Sequence, residues 1–504
     1  MPSNTPSERV RIRVIASDSA TEIFLIDHAF DRIAQGVGKL SALVLPGIYK
    51  IRYRAGTTAR DELVEVTPTP KVQEFRHDPV EFRSAVPLSN RSLTPKYQSD
   101  PAMRLSRETH ARLGNGAELF IFVRDPKEGG LARPGDFVSL RDLTGNLVFD
   151  MKAAQCDQSE RWAGVNLEVD PGTYRLRVES STLGSYEIFL VAAPNWQTRA
   201  FLIVDDIVEG KERVRRPRLL SASVSMSERG FGFSPENPTE RLTELALRGL
   251  EGGRSVIAPR VLREMLASKF EDPMLGILGA HVEAQKPAPD RNLIVAVCKR
   301  LREMIGDHPD VRALELQAAK KRSGPPARAF ASPPMLYSSW QLIARATQEF
   351  PDLVPTGSLT DRVSDGIVPR GPWLLWRVPD ESTLAAPSAT PQTFDPASTN
   401  QLLERLRAIS SDGLDRWLRT DDRYRKVSGL EQSVLRALEG FAQFAESKLA
   451  SGTADKVPTK RKPVDIGSIE RKLAAQLRVP VRSIERAGAN LAAYVGSLGD
   501  KDKA

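Results

Sequence analysis

The sequence predicts a multidomain α+β protein, with two N-terminal antiparallel β-sandwich modules followed by α-helical domains. Three observations carry this reading. A strand-type alternation recurs at a fixed spacing in the first two hundred residues, the apolar period turns helical near Pro238, and proline-rich stretches separate the segments. At 504 residues the chain has room for several domains, since one domain usually takes about 100–200 residues.

The recurrence is seen in two stretches. "LSALVLPGIYKIRYRAG" begins at Leu40 and "VNLEVDPGTYRLRVESS" at Val165, an offset of 125 residues. Pro46, Gly47 and Tyr49 fall on Pro171, Gly172 and Tyr174, and Lys50 and Arg52 fall on Arg175 and Arg177. Further on, Glu62, Leu63 and Val64 fall on Glu187, Ile188 and Phe189. Tyr49, Ile51 and Tyr53 alternate with Lys50, Arg52 and Arg54, the period of a strand with one wet face. Pro-Gly suits a tight turn, and a tyrosine just after it can bury its ring while its hydroxyl finds a backbone partner. Turns of this "PGxY" kind resemble those of prealbumin-like and immunoglobulin-like accessory modules, which implies a sandwich and names no activity.

The modules are assigned to residues 8–68 and 117–206. Their basic residues are expected on a solvated outer face, a positive ligand-binding face being the alternative. Prolines at 68, 70, 79, 87, 95 and 101 mark residues 69–116 as a Pro-rich linker or extended wrap.

A helical domain is expected over residues 215–377. "TERLTELALRGLEGG" puts Leu242, Leu245, Ala246 and Leu250 on one face, and "APRVLREMLASKF" carries a second such stripe. In "KFEDPMLGILGAH", Asp272 before Pro273 is a helix-start signal. Met274, Leu278 and His281 then share one face, and Gly276, Gly279 and Ala280 form a very small one. A glycine inside a helix costs about 1 kcal/mol against alanine, so close approach by a neighbouring helix is expected. His281 as metal ligand lacks a second His or Cys at helical spacing. Cys298 paired with His281 or His308 as nucleophile and base is opposed by its place on the apolar stripe of "NLIVAVCKRLREMI". "GDHPDVRAL" repeats the polar-residue-then-proline start, "PPMLYSSWQLIARATQEFP" adds another helix, and "GPWLLWRVP" reads as a strand or turn. The succession of these motifs over about 215–345 resembles a helical module of uncharacterised bacterial proteins. That resemblance implies an accessory role beside protease-like, caspase-like or other effector domains in conflict-type systems.

Beyond this, residues 378–399 read as a linker, 400–450 as a helical hairpin, 451–466 as a basic linker and 467–497 as a C-terminal helical hairpin of helix-turn-helix-like shape. From Ser451 onward there are eleven Lys and Arg against six Asp and Glu, a large part of the formal net charge of +8. Lys460, Arg461, Lys462, Arg482 and Arg486 are the candidate nucleic-acid contacts.

No P-loop, GxGxxG, HExxH or GxSxG pattern occurs. Adjacent acids such as Asp205-Asp206 point to opposite faces of a strand and do not form an acid/base pair. No cofactor is expected. The N-terminal "MPSNTPSERVRIRV" lacks the apolar core of a signal peptide, no membrane span is evident, and two cysteines make no disulfide framework, so a cytoplasmic protein is expected. The functional expectation is a non-catalytic adaptor or scaffold, with a protease or other effector encoded nearby as partner. The alternative is a nucleic-acid-binding or sensing protein using the basic C-terminal region.

Overall fold

Val10, Ile12 and Val14 are buried while Arg11 and Arg13 stay exposed, and this period of two organises the first sheet. In a computed structural model of the chain, the described residues are 9–378, together with Arg471, Ala474, Val481 and Arg482. Within 9–378 the stretches 18–20, 56–57, 79, 81–83, 89–95, 180–183, 210–211, 252–271, 287, 319–327, 348, 365 and 369–370 are outside the description. The chain is mixed α+β with many antiparallel pairings. It divides into one unit of Met1–Lys320, Pro334–Ser339 and Arg370–Leu375, and another of Lys321–Pro333, Trp340–Pro369 and Trp376–Ala504.

In the first unit, β1 (Val10–Ala16), β2 (Glu22–Ile26), β3 (Arg32–Val37), β4 (Lys39–Val44), β5 (Gly47–Ala55), β6 (Thr58–Val66) and β7 (Val72–His77) pair in the order β6-β5-β2-β3-β4-β1-β7. The sheet has two halves joined by a single β3–β4 residue pair, Val37 with Lys39. Inward side chains from both halves, among them Ile12, Ile23, Leu25, Ile51 and Tyr53, meet in one core.

The expected linker over 69–116 instead holds β7, α1 (Lys96–Leu105) and β8 (Ala111–Arg112). Val80, Ala85, Val86 and Leu88 lie in the same core. Prolines removed backbone donors here without preventing burial, because apolar residues between them pack against the sheet.

Next come β9 (Ala117–Arg124), β10 (Val138–Arg141), β11 (Leu147–Asp150), β12 (Gln155–Asp157), β13 (Trp162–Val169), β14 (Gly172–Val178), β15 (Tyr186–Ala192) and β16 (Trp196–Glu209). They are followed by β17 (Glu212–Pro217) and β18 (Ser223–Glu228). β11-β10-β14-β15 and β12-β13-β9-β16-β17 are successive neighbours in two sheets, and β18 pairs with β16. The strands therefore continue beyond residue 206, into the part expected to be helical, because β16 is long enough to pair with β9, β17 and β18.

The two copies share one local contact. The Tyr49 hydroxyl donates to the Leu45 carbonyl and the Tyr174 hydroxyl to the Asp170 carbonyl, each at 2.8 Å and each four residues upstream. Past the hairpin the fixed offset fails by one residue. Lys50 faces Leu63 across β5–β6, whereas Arg175 faces Phe189 across β14–β15. Leu63 is thus the equivalent of Phe189, and Asp61 that of Glu187, since the connection after β14 is longer. A one-residue slip moves a side chain to the other face, so the correction decides which carboxylate meets the basic pair.

In copy 1, Arg52 makes two hydrogen bonds to Asp61 at 2.7 and 2.8 Å, with Lys50 at 3.4 Å. In copy 2, Glu187 accepts from Arg175 at 2.7 and 3.1 Å and from Arg177 at 2.7 Å. The first cluster is at the surface and the second is sealed, with Arg175 and Glu187 buried. The solvated outer face expected for both copies therefore occurs only in copy 1.

The helices of the first unit are α2 (Pro238–Glu251), α3 (Pro273–Ala284), α4 (Arg291–Ile305) and α5 (Pro309–Ala318). Then come α6 (Tyr337–Ala346), which crosses the boundary between units, α7 (Leu359–Val363), and the short strands β19 (Ile367–Val368) and β20 (Leu375–Arg377). The last of these falls in "GPWLLWRVP". The stripe in "APRVLREMLASKF" and the segments 379–470 lie outside the described residues.

The α3 helix is buried from Pro273 to Glu283 and packs against α2, α4, α5 and β18. An apolar run on every side fits a helix enclosed by others. Gly276 and Gly279 are both buried within it.

Two stability predictions follow from these environments. Glu187→Gln leaves two guanidinium groups without their carboxylate and should cost about 3–5 kcal/mol, whereas Asp61→Asn at the exposed equivalent should cost about 0–1 kcal/mol. Equal losses in urea denaturation would contradict the difference in burial. Gly279→Leu should overpack the enclosed helix by about 1–3 kcal/mol, and a variant melting like the parent would refute this.

Candidate functional site

Chemistry-bearing side chains converge at two places in the first unit, both reached by α3. At its start Asp272 is the N-cap, its carboxylate accepting from the Met274 amide at 2.9 Å with Pro273 in the first turn. The same carboxylate accepts from the Met226 amide of β18 at 3.0 Å and the Thr243 hydroxyl of α2 at 3.0 Å. Burial raises the Asp272 pKa, with Arg199 opposing. Arg199 bridges Glu240 at 2.7 Å and donates to the Gly232 carbonyl at 2.8 Å. Glu240 is pushed up to about 7, chiefly by burial, again against Arg199. Nearby on α2, Glu244 accepts from Ser84 at 2.5 Å, and Arg248 lies 3.8 Å from Glu244.

Toward the other end of α3, His281 Nε2 lies 2.8 Å from Ser339 Oγ. Ser339 donates to Asp310 at 2.6 Å. Asp310 also accepts from the Met335 and Leu336 amides, both at 2.9 Å, so an acid in the first turn of α5 caps the start of α6. The Asp310 amide donates to His308 Nδ1 at 3.2 Å, which leaves the proton of the neutral ring on Nε2. Burial pushes His281 down to about 4 and lowers His308, with Asp310 opposing in both.

Serine, histidine and aspartate meet here in the wrong order for nucleophilic catalysis. In a triad the histidine stands between serine and carboxylate. Here the hydroxyl gives its single proton to Asp310, so His281 is left to donate to Ser339 and does not activate it. His281, His308, Asp310 and Ser339 are all within 1% of full burial, which leaves a substrate no approach. Cys298 is also buried, on α4, its thiol pushed up to about 12 by burial with Glu315 adding. It has neither the exposure nor the lowered pKa of a reactive thiol. Among the described residues no group of three or more His, Cys, Asp and Glu is placed to hold a metal.

Sequence reasoning singled out Asp272, Pro273, Gly276, Gly279 and His281, and the structure places all five on or at the start of α3. It passed over Arg199, Glu240, Asp310 and Ser339. The one local signal was the "HPD" start of α5, where the acid follows the proline and serves a different helix. Of the candidate nucleic-acid contacts, Arg482 donates to Asp352 at 2.8 Å and to Thr356 at 2.6 Å. Lys460, Arg461, Lys462 and Arg486 lie outside the described residues.

Open surface chemistry gathers on the first sheet. Phe30 is 81% exposed, Leu63 74% and Ile48 64%, with Ile33, Leu43, Leu45 and Val72 also exposed. Lys50 lies 5.6 Å from the Phe30 ring centroid, and Arg54 sits 4.7 Å from the Phe24 ring while pairing with Glu22 at 2.7 Å.

No protein-family model matches the chain. Human PDZ and LIM domain protein 4 is 26% identical over 152 residues, which cover 30% of this chain and 42% of that protein. The match thus spans less than half of that relative's length. Among solved structures, the Bacillus anthracis TIE protein aligns at 9% identity and a TM-score of 0.16, over 41% of this chain and 35% of that one. A candidate cell adhesion protein from Bacteroides eggerthii aligns at 9% identity and a TM-score of 0.13, over 44% of this chain and 96% of that one. Scores this low carry no structural argument. No helix among the described residues is long and apolar enough to cross a membrane.

Buried titration gives a pH prediction. An ordinary histidine titrates near 6.5, and His281 is held at about 4, so between those values the unfolded chain binds the extra proton. His281 therefore supports folding above about 6.5 and that support is lost as pH falls toward 4, at up to about 1.4 kcal/mol per pH unit. Glu240, raised to about 7, acts with the opposite sign and favours folding at the acid end. Replacing His281 by Gln keeps a donor to Ser339 and should flatten the fall in melting temperature between about pH 6.5 and 4. An unchanged slope would remove His281 from the account.

Proposed function

We propose that this chain is a non-catalytic adaptor or scaffold for protein–protein interaction, acting in a bacterial defence or conflict-type setting. Its N-terminal regions are read as β-sandwich modules that present docking faces, and a separately encoded protease or other effector supplies the chemistry. The sandwich reading is supported by the two halves of the first sheet meeting in one core, and by β15 packing against β9 and β16 of the neighbouring sheet.

The observation that carries the functional reading is the gathering of exposed large apolar side chains on the first sheet and its connecting turns. Phe30, Ile33, Leu43, Leu45, Ile48, Leu63 and Val72 all lie between residues 30 and 72. Scattered exposed apolar residues need no explanation, but their concentration on one module supports the reading of an interaction surface. The clusters that resemble catalytic groups are sealed, and their hydrogen bonds go to backbone amides and neighbouring side chains. The nucleic-acid reading rests on the C-terminal basic residues, of which Arg482 is already held by Asp352 and Thr356.

The test is co-purification of the full chain from its host after nuclease treatment, beside screens for hydrolase, protease and nuclease turnover. A reproducible protein partner is expected, and Phe30→Ser with Leu63→Ser should weaken its capture while changing stability by no more than about 0.5 kcal/mol per site. Turnover abolished by one substitution in this chain would overturn the reading.

A further inference from the structure

The half of the first sheet formed by β7, β1 and β4 carries a different surface from the half around β5. Register places Arg11 of β1 between Val72 of β7 and Leu43 of β4, and Arg13 between Glu74 and Ser41. Ile15 follows between Arg76 and Lys39. All except the half-buried Ile15 are exposed, because the alternate residues Val10, Ile12 and Val14 fill the core. We propose that this face docks an extended protein segment that alternates carboxylates with aliphatic side chains. The proposal rests on the adaptor reading and names the chemistry of one partner surface.

Charge decides the partner's sign. Around β5 the cations are neutralised from within, Lys50 and Arg52 by Asp61 and Arg54 by Glu22. On β7-β1-β4, Glu74 is taken by Arg76 at 2.7 Å. Among the described residues Arg11, Arg13 and Lys39 have no carboxylate partner. Cations on an edge strand are a common guard against sheet-to-sheet aggregation, but Arg11 and Arg13 lie on β1, which is paired on both sides. Edge protection therefore does not account for them.

Spacing and the apolar neighbours decide the partner's class. Residues two apart on a strand are about 6.8 Å apart, so Arg11 and Arg13 repeat at the period of acids on one face of an extended chain. Leu43, 53% exposed, and Val72, 46% exposed, flank Arg11 and offer aliphatic contact area. Single-stranded nucleic acid is held by aromatic stacking as well as by cations. The aromatic ring of β7, Phe75, packs against the core and not on this face.

The experiment uses the full chain and a labelled synthetic peptide of alternating glutamate and valine, read by fluorescence anisotropy at low salt. Companion probes are the same peptide with glutamine for glutamate and a thymidine oligonucleotide. The acidic peptide should bind, the glutamine peptide should not, and Arg11→Glu with Arg13→Glu should weaken binding at least about tenfold with an unchanged melting curve. A peptide with lysine for glutamate should then bind the double variant in preference to the parent. Absence of acidic-peptide binding, equal binding of the glutamine peptide, an unaffected double variant, or tighter binding of the oligonucleotide through the same arginines would each overturn the proposal. Continued co-purification of the host partner with the double variant would also overturn it while leaving the adaptor reading intact. Failure of the adaptor reading would appear separately, as turnover or as no partner for either protein.

Discussion

The buried carboxylate of Asp272 is the constraint on which the helical part of the first unit depends. Sealing an ionised carboxylate from water costs several kcal/mol unless it is paired and hydrogen-bonded. Asp272 meets that requirement with three donors from three elements: the amide of its own helix, the amide of Met226 on β18 and the hydroxyl of Thr243 on α2. The position of α3 is thereby tied to the sheet and to its neighbouring helix at one point. Enclosure then accounts for the composition of "DPMLGILGAH". A helix surrounded by α2, α4, α5 and β18 has no solvent side, so small and apolar residues fill most of its circumference and its polar His281 is hydrogen-bonded. Asp310 repeats the solution at α6, with the difference that the acid comes from another helix.

Two copies of one hairpin show how the same residues serve opposite purposes. A cation pair and a carboxylate across the strand occur in both, as Lys50, Arg52 and Asp61 and as Arg175, Arg177 and Glu187. At the surface such a cluster contributes little and holds Asp61 down to about 2, mainly through its hydrogen bonds from Arg52. Once buried, it must be complete, because any one member alone would be an unpaired charge in a low dielectric. Beside these clusters, Leu63 is open in copy 1 and its equivalent Phe189 is fully buried in copy 2. The second copy is a sealed part of the core, and the first keeps an open face.

Legibility in the sequence followed the range of the interaction. The strand period in "YKIRYR", the tyrosine after Pro-Gly and the Asp-Pro helix start are local, and they could be read from neighbouring residues. The mixed α+β character with antiparallel pairing was readable for the same reason. What was not readable depends on partners far along the chain. Lys50 and Arg175 hold the same place in the local pattern, yet only Arg175 is buried. The α2 stripe was expected to put Leu242, Leu245, Ala246 and Leu250 on one face, but Leu242 is only half-buried while Glu240, Arg241 and Glu244 are buried. Arg199, on a strand about forty residues earlier, is what makes that possible. The proline-rich stretch 69–116 misled for the opposite reason: proline limits hydrogen bonding but not packing, and Val80, Val86 and Leu88 still reach the core.

These placements bear on what the molecule can do. A catalytic group needs access to substrate as well as the right neighbours, and the Ser339, His281 and Asp310 set has neighbours without access. Its hydrogen bonds instead tie α3, α5 and the first turn of α6 together. The Arg199–Glu240 ion pair and the hydrogen bonds of Asp272 fix α2 and α3 against β16 and β18 in the same way. Buried polar networks tie their members to one arrangement, because a displaced partner leaves a buried polar group unpaired. On the first sheet the Tyr49 hydroxyl and the shared core hold the strands, so the outward side chains are displayed at the set intervals of the paired strands. A docking surface whose residues are already in place loses less conformational entropy on binding than one that must first be ordered. A sealed interior and an open, alternating outer face are thus two sides of one sheet, and the proposed adaptor role draws on the second.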